Sequence, residues 1–408
     1  MVLQDGIQNF GEKGGVFMIK DGFVYFSVLI LIMGIIVMLP KLCRGKGAQK
    51  FFGIIPPVVI IYVGFMLLCS VKLWDLEATS GLYSSMKNPV LYAMVFLMLL
   101  RCDMKKIVRL GPRMLIAFFC ASISIGIGFV LSYAVMHSFL GEEAWRPLGA
   151  LCGSWMGGTG NMLAIQAALH VDEGNMVYAL IMDTICCNIY IPFLLWALTR
   201  NEAFNRWTKS DTHLIDEVGE SLRKATEANN KPLLWQNLAF LLGLGFAVSA
   251  LSQYVGVYLN SIIPFFDKAT WTVLFITILG TVLAVTPLGS MNGIEELSNI
   301  LLYTVIALIA SRADLGGMNN GHLWILAGFI IMVIHVVVMI VMAKLLHLDI
   351  FTCAVASVAN IGGTATTPVI AGSYNDALVP VGIVMALLGY VIGTGGGLVV
   401  ANCMSIFG

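Results

Sequence analysis

Charge is what this sequence has least of: only 11% of its 408 residues are Asp, Glu, Lys or Arg. A soluble domain carries about 25%, so no water-facing surface of this size can be built from it. The 23 basic and 23 acidic residues also balance, which excludes the basic excess of a nucleic-acid binder. Nine cysteines are present, but none form a CxxC pair, and the neighbours Cys186 and Cys187 would project apart on a helix. No disulfide framework or metal-ligand spacing results. Cys69, Cys102, Cys120 and Cys152 lie in or beside apolar stretches, where a small soft side chain packs. A Walker A loop, a dinucleotide fingerprint and a haem-ligand pattern are missing, which disfavours ATP-driven work by this chain. Apolar sequence, in contrast, is abundant at 59%. The chain reads as an all-α polytopic membrane protein.

A run of about 20 apolar residues crosses the hydrocarbon core. Such runs fall at 23–40, 54–71, 89–101, 113–137 and 175–198, then at 234–258, 270–287, 298–311, 322–346 and 377–402. Two more, 147–170 and 350–371, are interrupted by glycines and polar residues. The chain thus divides into a polar N-terminal segment (1–22), a first membrane half (23–198), a soluble linker (199–233) and a second membrane half (234–408). Within the linker, 216–230 (DEVGESLRKATEANN) is expected to form a polar or amphipathic helix. Lys41, Arg44, Lys46 and Lys50 follow the first run, and Arg101, Lys105, Lys106, Arg109 and Arg113 come two crossings later. Both clusters should stay cytoplasmic, which puts the N-terminus outside. No small-residue cleavage site follows the first run, so it is not a removed signal peptide. A bacterial inner membrane is the expected location.

The two halves match each other. Asn88, Leu91, Tyr92, Leu97, Arg101 and Asp103 recur 211 positions on as Asn299, Leu302, Tyr303, Leu308, Arg312 and Asp314. Gly157-Gly158-Thr159 recurs 205 positions on as Gly362-Gly363-Thr364. Duplicated halves with glycine-broken segments at corresponding places point to the binding site of a secondary transporter. Re-entrant broken segments give five crossings per half and turn the second half upside down; fully crossing ones give six and a parallel repeat. The inverted arrangement is preferred, because the linker with its Lys and Arg then lies inside.

The first broken segment runs Gly153-Ser154-Trp155-Met156-Gly157-Gly158-Thr159-Gly160-Asn161, and the second runs from Ser357 through Asn360, Gly362, Gly363, Thr364, Thr366 and Thr367 to Pro368. Paired glycines each cost a helix about 1 kcal/mol, and Pro368 is expected not to continue one from inside. Unwound backbone at this depth must face protein or a water-filled cavity. Thr and Asn after the glycines suit a helix start as caps, and its partial positive charge favours an anion. Close packing of small residues would explain the glycines alone, but not the polar residues gathered at two matching places. Candidate solute contacts are therefore Gly157, Gly158, Thr159, Gly160, Asn161, Gln166, Asn360, Gly362, Gly363, Thr364, Thr366 and Thr367.

Asp183 lies mid-span in the helix after the first broken segment. An ionisable residue at that depth is a functional hypothesis by default, and here it would carry Na⁺ or a proton as the coupling ion. Asn188, five positions on, is a candidate second contact. Leu388 stands near the equivalent place in the second half, so the coupling site is expected to be asymmetric. His335, also mid-span, is either a satisfied interhelical donor or a proton relay. Arg101/Asp103 and Arg312/Asp314 sit at span ends, where short-range pairing or snorkelling explains them.

The string SVANIGGTATTPVIAGSYNDALVPVGIVMALLGYVIGTGGGL (357–398), with GSWMGGTGNMLAIQAAL (153–169) and the aspartate helix after it, resembles the YjcL-like multi-pass membrane proteins, a domain of unknown function. That family is similar in architecture to the cation/proton-antiporter and bile-acid-symporter group, and to sodium/glutamate symporters. The resemblance implies broken helices crossing near an acid, with Asp183 as the cation-site acid and 157–161 and 360–367 as the crossing region. The chain departs from the expected pattern after Gly-Gly, reading Thr364-Ala365-Thr366-Thr367-Pro368 in place of Pro-Thr-Thr-Ala.

The expectation is a cation-coupled secondary transporter moving a small organic solute, most naturally an anion, by alternating access. A scaffold of early spans would hold a mobile core, 113–198 plus 322–402, in an elevator-like arrangement. The solute and the lipid bilayer are the expected partners, no further cofactor is implied, and a homodimer stays open. Alternatives are a Na⁺/H⁺ antiporter without organic solute, or a channel or membrane regulator. Enzyme chemistry is not expected: an intramembrane aspartyl protease needs two deep acids, and Ser154 with His335 forms no recognisable nucleophile motif.

Overall fold

The computed structural model describes residues 10–13, 16–43, 45–54, 57–102, 107–108, 110–210, 233–264, 268–312, 321–375 and 378–407. The polar N-terminal segment carries more structure than its composition suggests. Strands β1 (Phe10–Lys13) and β2 (Val16–Ile19) pair antiparallel, and Ile19 bridges to the buried Trp74. The first half continues with α1 (Gly22–Leu42), α2 (Lys46–Ile54), α3 (Pro57–Ser70), α4 (Ser80–Leu100), α5 (Gly111–Leu140), α6 (Trp145–Gly157), α7 (Thr159–Ala168), α8 (Met176–Leu198) and the short α9 (Asn201–Thr208). The second half holds α10 (Trp235–Ile262), α11 (Lys268–Ala284), α12 (Ile294–Ala310), α13 (Gly321–Leu346), α14 (Ile350–Ile361), α15 (Gly363–Tyr374) and α16 (Val379–Met404). Six helices among the described residues (α1, α5, α8, α10, α13 and α16) are long and apolar enough to cross a membrane. The expected linker helix at 216–230, with Asp103, Lys105, Lys106, Arg109 and Asp314, lies outside the described residues.

The short run at 89–101 proves to be the apolar end of a longer helix, and the run at 298–311 makes up most of α12. In α4, every residue from Val90 to Leu100 is buried. A helix apolar all round belongs at the centre of a bundle, and α4 packs there against α10, α11 and α12. Its first turns carry Ser, Lys and Asn because they line a polar recess rather than lipid. Helices α1 and α3 flank α12 to complete this α4 bundle. Helices α5–α8 and α13–α16 form a second group, the hairpin bundle, and the two groups meet where α7 and α16 touch α4 and α11.

Each glycine-broken segment folds back on itself. Arg146, at the start of α6, donates from Nη1 to the Leu169 carbonyl just past the end of α7 (3.1 Å). Phe351, at the start of α14, packs against Tyr374, at the end of α15, with ring centroids 4.9 Å apart. Both segments are therefore helical hairpins whose ends return to the side they left. Helices α5 and α13 run antiparallel. Ser124 meets His335, Gly128 meets Ile331 and Ser132 meets the Ala327 carbonyl, so numbers rise along one helix as they fall along the other.

Helix α6 lies antiparallel against α16 through two glycine ladders spaced four apart: Gly149, Gly153 and Gly157 face Gly397, Gly393 and Gly389 together with Ala401. A methyl built on Gly157 would stand 2.1 Å from the Gly389 carbonyl oxygen, and one on Gly149 would stand 2.5 Å from Ala401 Cβ. Such backbone contact is available only to small residues.

Candidate functional site

The two hairpin tips meet. Gly158 (φ +89°) and Gly363 (φ +58°) both occupy left-handed backbone, which glycine adopts without steric cost, and a methyl built on Gly363 would stand 3.8 Å from Gly158 Cα. Around this point most of the polar residues marked in the sequence spend their hydrogen bonds on the protein. Asn161 donates from Nδ2 to the carbonyls of Gly157 (2.9 Å) and Gly389 (3.3 Å), and accepts at Oδ1 from Thr394 (2.6 Å). Asn360 accepts from Ser122 (2.7 Å) and donates to the Ala356 carbonyl (2.9 Å). Thr367 donates to the Gly363 carbonyl (2.5 Å), and Thr364 bonds the Tyr390 hydroxyl (3.0 Å).

These bonds correct the expected capping role. No side chain caps α7 or α15, whose N-caps are Gly158 and Gly362; Thr159 is half-buried at the α7 start. The glycines 157 and 160 serve packing: Gly160 faces Met98 of α4, with a built methyl 2.4 Å from its sulfur. Pro368 lies inside α15 rather than ending it; the ring removes only the one bond to the Thr364 carbonyl, in the first turn. Two candidates keep unpartnered buried polar atoms: Thr366, at Oγ1, and Gln166, at both Nε2 and Oε1.

Asp183 bonds to the first hairpin, on a helix that packs against both hairpins. Its Oδ1 accepts from Trp155 Nε1 (2.7 Å) and from Cys187 Sγ (3.2 Å). Trp155 comes three residues before Gly158, and Asp183 as a whole residue is half-buried. Asn188 turns to its own helix, donating to the Thr184 carbonyl (2.8 Å), and does not join Asp183.

His335 is fully buried and bonded at both nitrogens, Nδ1 to Ser124 Oγ (2.7 Å) and Nε2 to Ser357 Oγ (2.6 Å). Ser124 gives its proton to the Ala121 carbonyl (2.7 Å), so it accepts from Nδ1–H. Nε2 then accepts from Ser357, which accepts in turn from the Tyr190 hydroxyl (2.6 Å). One directed chain joins α5, α13, α14 and α8, with both ring nitrogens of His335 bonded.

Two polar recesses open at opposite ends of α4 along the seam between bundles. The first, about 470 Å³, is lined by Tyr83, Lys87 and Asn88 of α4, by Gln166 of α7, by Glu173, and by Lys268 at the start of α11. Lys87 Nζ bonds Glu173 Oε1 at 2.6 Å. The second, about 360 Å³, is lined by Arg101, Asn292, Glu295, Glu296 and Leu387. There Arg101 Nη2 pairs with Glu295 Oε2 at 2.9 Å, across the two halves of the sequence. Lys87 and Arg101 are 14 residues apart on one helix, about 20 Å at 1.5 Å per residue, and the hairpin tips lie between. Asp183 lines neither recess.

The sequence reading missed Lys87, Glu173, Tyr83 and Lys268. Lys87 adjoins the repeated block at Asn88, which was the available signal; Glu173 lies in a connection and Lys268 opens α11 just ahead of the apolar run at 270–287, and nothing in the sequence marks either. Arg312 donates to the Leu76 carbonyl and to Thr79 Oγ1 (3.1 Å) and lies over Tyr83 with its guanidinium carbon 4.6 Å from the ring centre.

Six membrane-length helices among the described residues, bundled around a helix buried on all sides, make this a multi-pass membrane protein. Residues 19–407 match the model of the family described as "Protein of unknown function (DUF819)", and the chain belongs to that family. It is similar to the "Uncharacterized membrane protein YjcL" of Bacillus subtilis (strain 168), at 25% identity over 375 residues covering 89% of this chain and 92% of the relative.

Proposed function

We propose that the protein is a cation-coupled secondary transporter that carries a small organic solute across the bacterial inner membrane by alternating access. The observation that carries this reading is the pair of polar recesses at opposite ends of one buried helix, with two hairpin tips closing the seam between them. A carrier needs such a site reachable from either side but not both at once. The hairpin bundle would slide against the α4 bundle, with α7 as the moving face.

The antiparallel packing of α5 on α13 supports an inverted repeat with halves 23–198 and 234–408. Adding 207 to Ser124 and to Gly128 gives Ile331 and His335, so the Ser124–His335 contact maps onto the Gly128–Ile331 contact when the halves are exchanged. Hairpins that return to their own side leave five crossings per half, the odd number an inverted repeat requires. The positive-inside rule then puts the Arg101 recess inside and the Lys87 recess outside.

Asp183 would hold Na⁺ or a proton, its occupancy reaching the first hairpin tip through Trp155. The test is a solute panel in proteoliposomes, with and without a Na⁺ or pH gradient, comparing wild type with Asp183→Asn. Gradient-driven flux that the substitution uncouples is the expected result. Unchanged coupling in Asp183→Asn removes Asp183 from the role, and indifference of every flux to both gradients removes the transporter reading.

A further inference from the structure

We propose that the Lys87 recess binds a small zwitterion, a solute bearing both a carboxylate and a protonated amine in the manner of a free α-amino acid, with the Gln166 amide as its central contact. This names the solute for the site above; binding itself stands apart from the transport reading, and only the movement of bound solute across the membrane rests on it.

The first observation is the state of Gln166. The residue is 2% exposed, it lines the recess, and neither Nε2 nor Oε1 has a partner. Buried side-chain amides are normally bonded. Asn161, on the same helix, is satisfied at both ends, so the unpartnered amide is particular to the position facing the recess. A planar group offering one donor side and one acceptor is met by a solute that carries both kinds, such as a carboxylate oxygen next to an ammonium.

The second observation is charge. Among the described residues that line the recess, Lys87 and Lys268 face Asp172 and Glu173, two cations against two anions, with the His170 imidazole beside them. A site for a simple anion would carry an excess of positive charge, and one for a cation the reverse. A balanced rim suits a solute whose own charges are paired. Lys87 and Glu173 already bond each other at 2.6 Å, with about a fifth of each side chain exposed (21% and 22%). A zwitterion can enter this pair, its carboxylate taking Lys87 or Lys268 and its ammonium taking Glu173. The volume of about 470 Å³ is in the range of small-molecule sites.

The test uses the full chain purified in detergent, with binding measured by calorimetry and by melting temperature. L-alanine and L-asparagine are compared with propionate and ethylamine, which keep one charge each. The zwitterions are expected to bind at least about tenfold tighter, or about 1.4 kcal/mol, than either single-charge analogue. Gln166→Leu should weaken alanine binding by about tenfold or more while melting no lower than wild type without solute, because it removes two unpartnered polar atoms. Lys268→Met, at an exposed rim position, should weaken alanine binding severalfold and carries the test independently of the core. Propionate or ethylamine binding as tightly as alanine overturns the proposal, as does unchanged alanine binding in both variants, or failure of all twenty standard amino acids to bind. Flux in proteoliposomes separates the two readings. Gradient-driven movement of some other solute without amino-acid binding sinks this inference alone, and binding without any gradient-driven flux sinks the transport reading alone.

Discussion

Lys87 of the α4 bundle grips Glu173 of the hairpin bundle across the seam, Nζ to Oε1 at 2.6 Å. Two more groups from the same side close on this residue: the Tyr83 hydroxyl donates to Oε1 (2.6 Å) and the Tyr62 hydroxyl to the Glu173 backbone carbonyl (3.1 Å). Burial by itself raises the Glu173 carboxyl, but the Lys87 ammonium and the Tyr83 hydroxyl outweigh it and hold the group below the usual carboxylate range.

This clasp is acid-sensitive, and the sign is set by the lowered value. A carboxylate depressed in the folded protein contributes stability that is complete above its unfolded pKa, about 4.3. That stability is lost as pH falls through the lower folded value, so near neutrality the clasp is fully formed. Glu173→Gln should cost about 1–2 kcal/mol at pH 7 and flatten the acid limb of the melting curve. It should also speed maleimide labelling of a cysteine placed at Met98, behind the seam. A variant that melts and labels like wild type would show that the clasp does not hold the bundles together.

The glycine ladder gives predictions of opposite sign from one kind of substitution. Gly157→Ala puts a methyl 2.1 Å from the Gly389 carbonyl oxygen, and Gly393→Ala puts one 2.5 Å from Asn161 Nδ2. Overpacking against backbone should destabilise Gly157→Ala by about 1–3 kcal/mol. Gly34, Gly64 and Gly243 lie inside helices with nothing within 4 Å of an added methyl. There alanine should be neutral or stabilise by about 0.4–1 kcal/mol. Melting temperatures of the purified variants decide it, and equal effects in both groups would contradict the ladder.

How far the sequence reaches is clear from individual residues. The broken segments announce themselves, because Gly157-Gly158 and Gly362-Gly363 interrupt runs otherwise long enough to span, and the tips do meet. Asn161 and Asn360 look from their types like ligand groups, yet both are bonded to carbonyls and to a hydroxyl from another helix. Whether a polar side chain is spent or available depends on neighbours such as Thr394 and Ser122, 233 and 238 residues away in sequence. Lys87 and Glu173 were not legible for the same reason: a recess is formed by elements brought together only by packing. Asp183 was correctly placed mid-helix, but the side it faces is fixed by Trp155, whose partner no local pattern names.

His335 tests whether the buried chain is a strut or a proton path. With Ser124 and Ser357 each on one ring nitrogen and Tyr190 behind Ser357, every proton in the chain has an acceptor. His335→Ala should cost about 2–5 kcal/mol through a cavity and through hydroxyls left without their partner. Tyr190→Phe removes only the terminal donor and should cost about 1 kcal/mol. As a strut, the chain predicts that Tyr190→Phe leaves the pH profile of flux in place. A displaced profile would make it a path.

The seam itself can be locked. Gly160 of α7 and Met98 of α4 face each other across it, a methyl built on Gly160 standing 2.4 Å from the Met98 sulfur. Cysteines at both positions, in a background with the nine native cysteines replaced, test for a cross-link over this contact, since a disulfide needs Cβ atoms about 3.5–4.5 Å apart. Oxidation should abolish gradient-driven flux and reduction should restore it, because a bond from α7 to α4 forbids the hairpin bundle from moving past the other. Binding of solute from the Lys87 side should survive the lock, since that recess is open in the arrangement the bond would capture. Full flux through fully cross-linked protein would mean that solute passes without relative movement of the bundles, and the alternating-access mechanism would have to be replaced by a fixed pore.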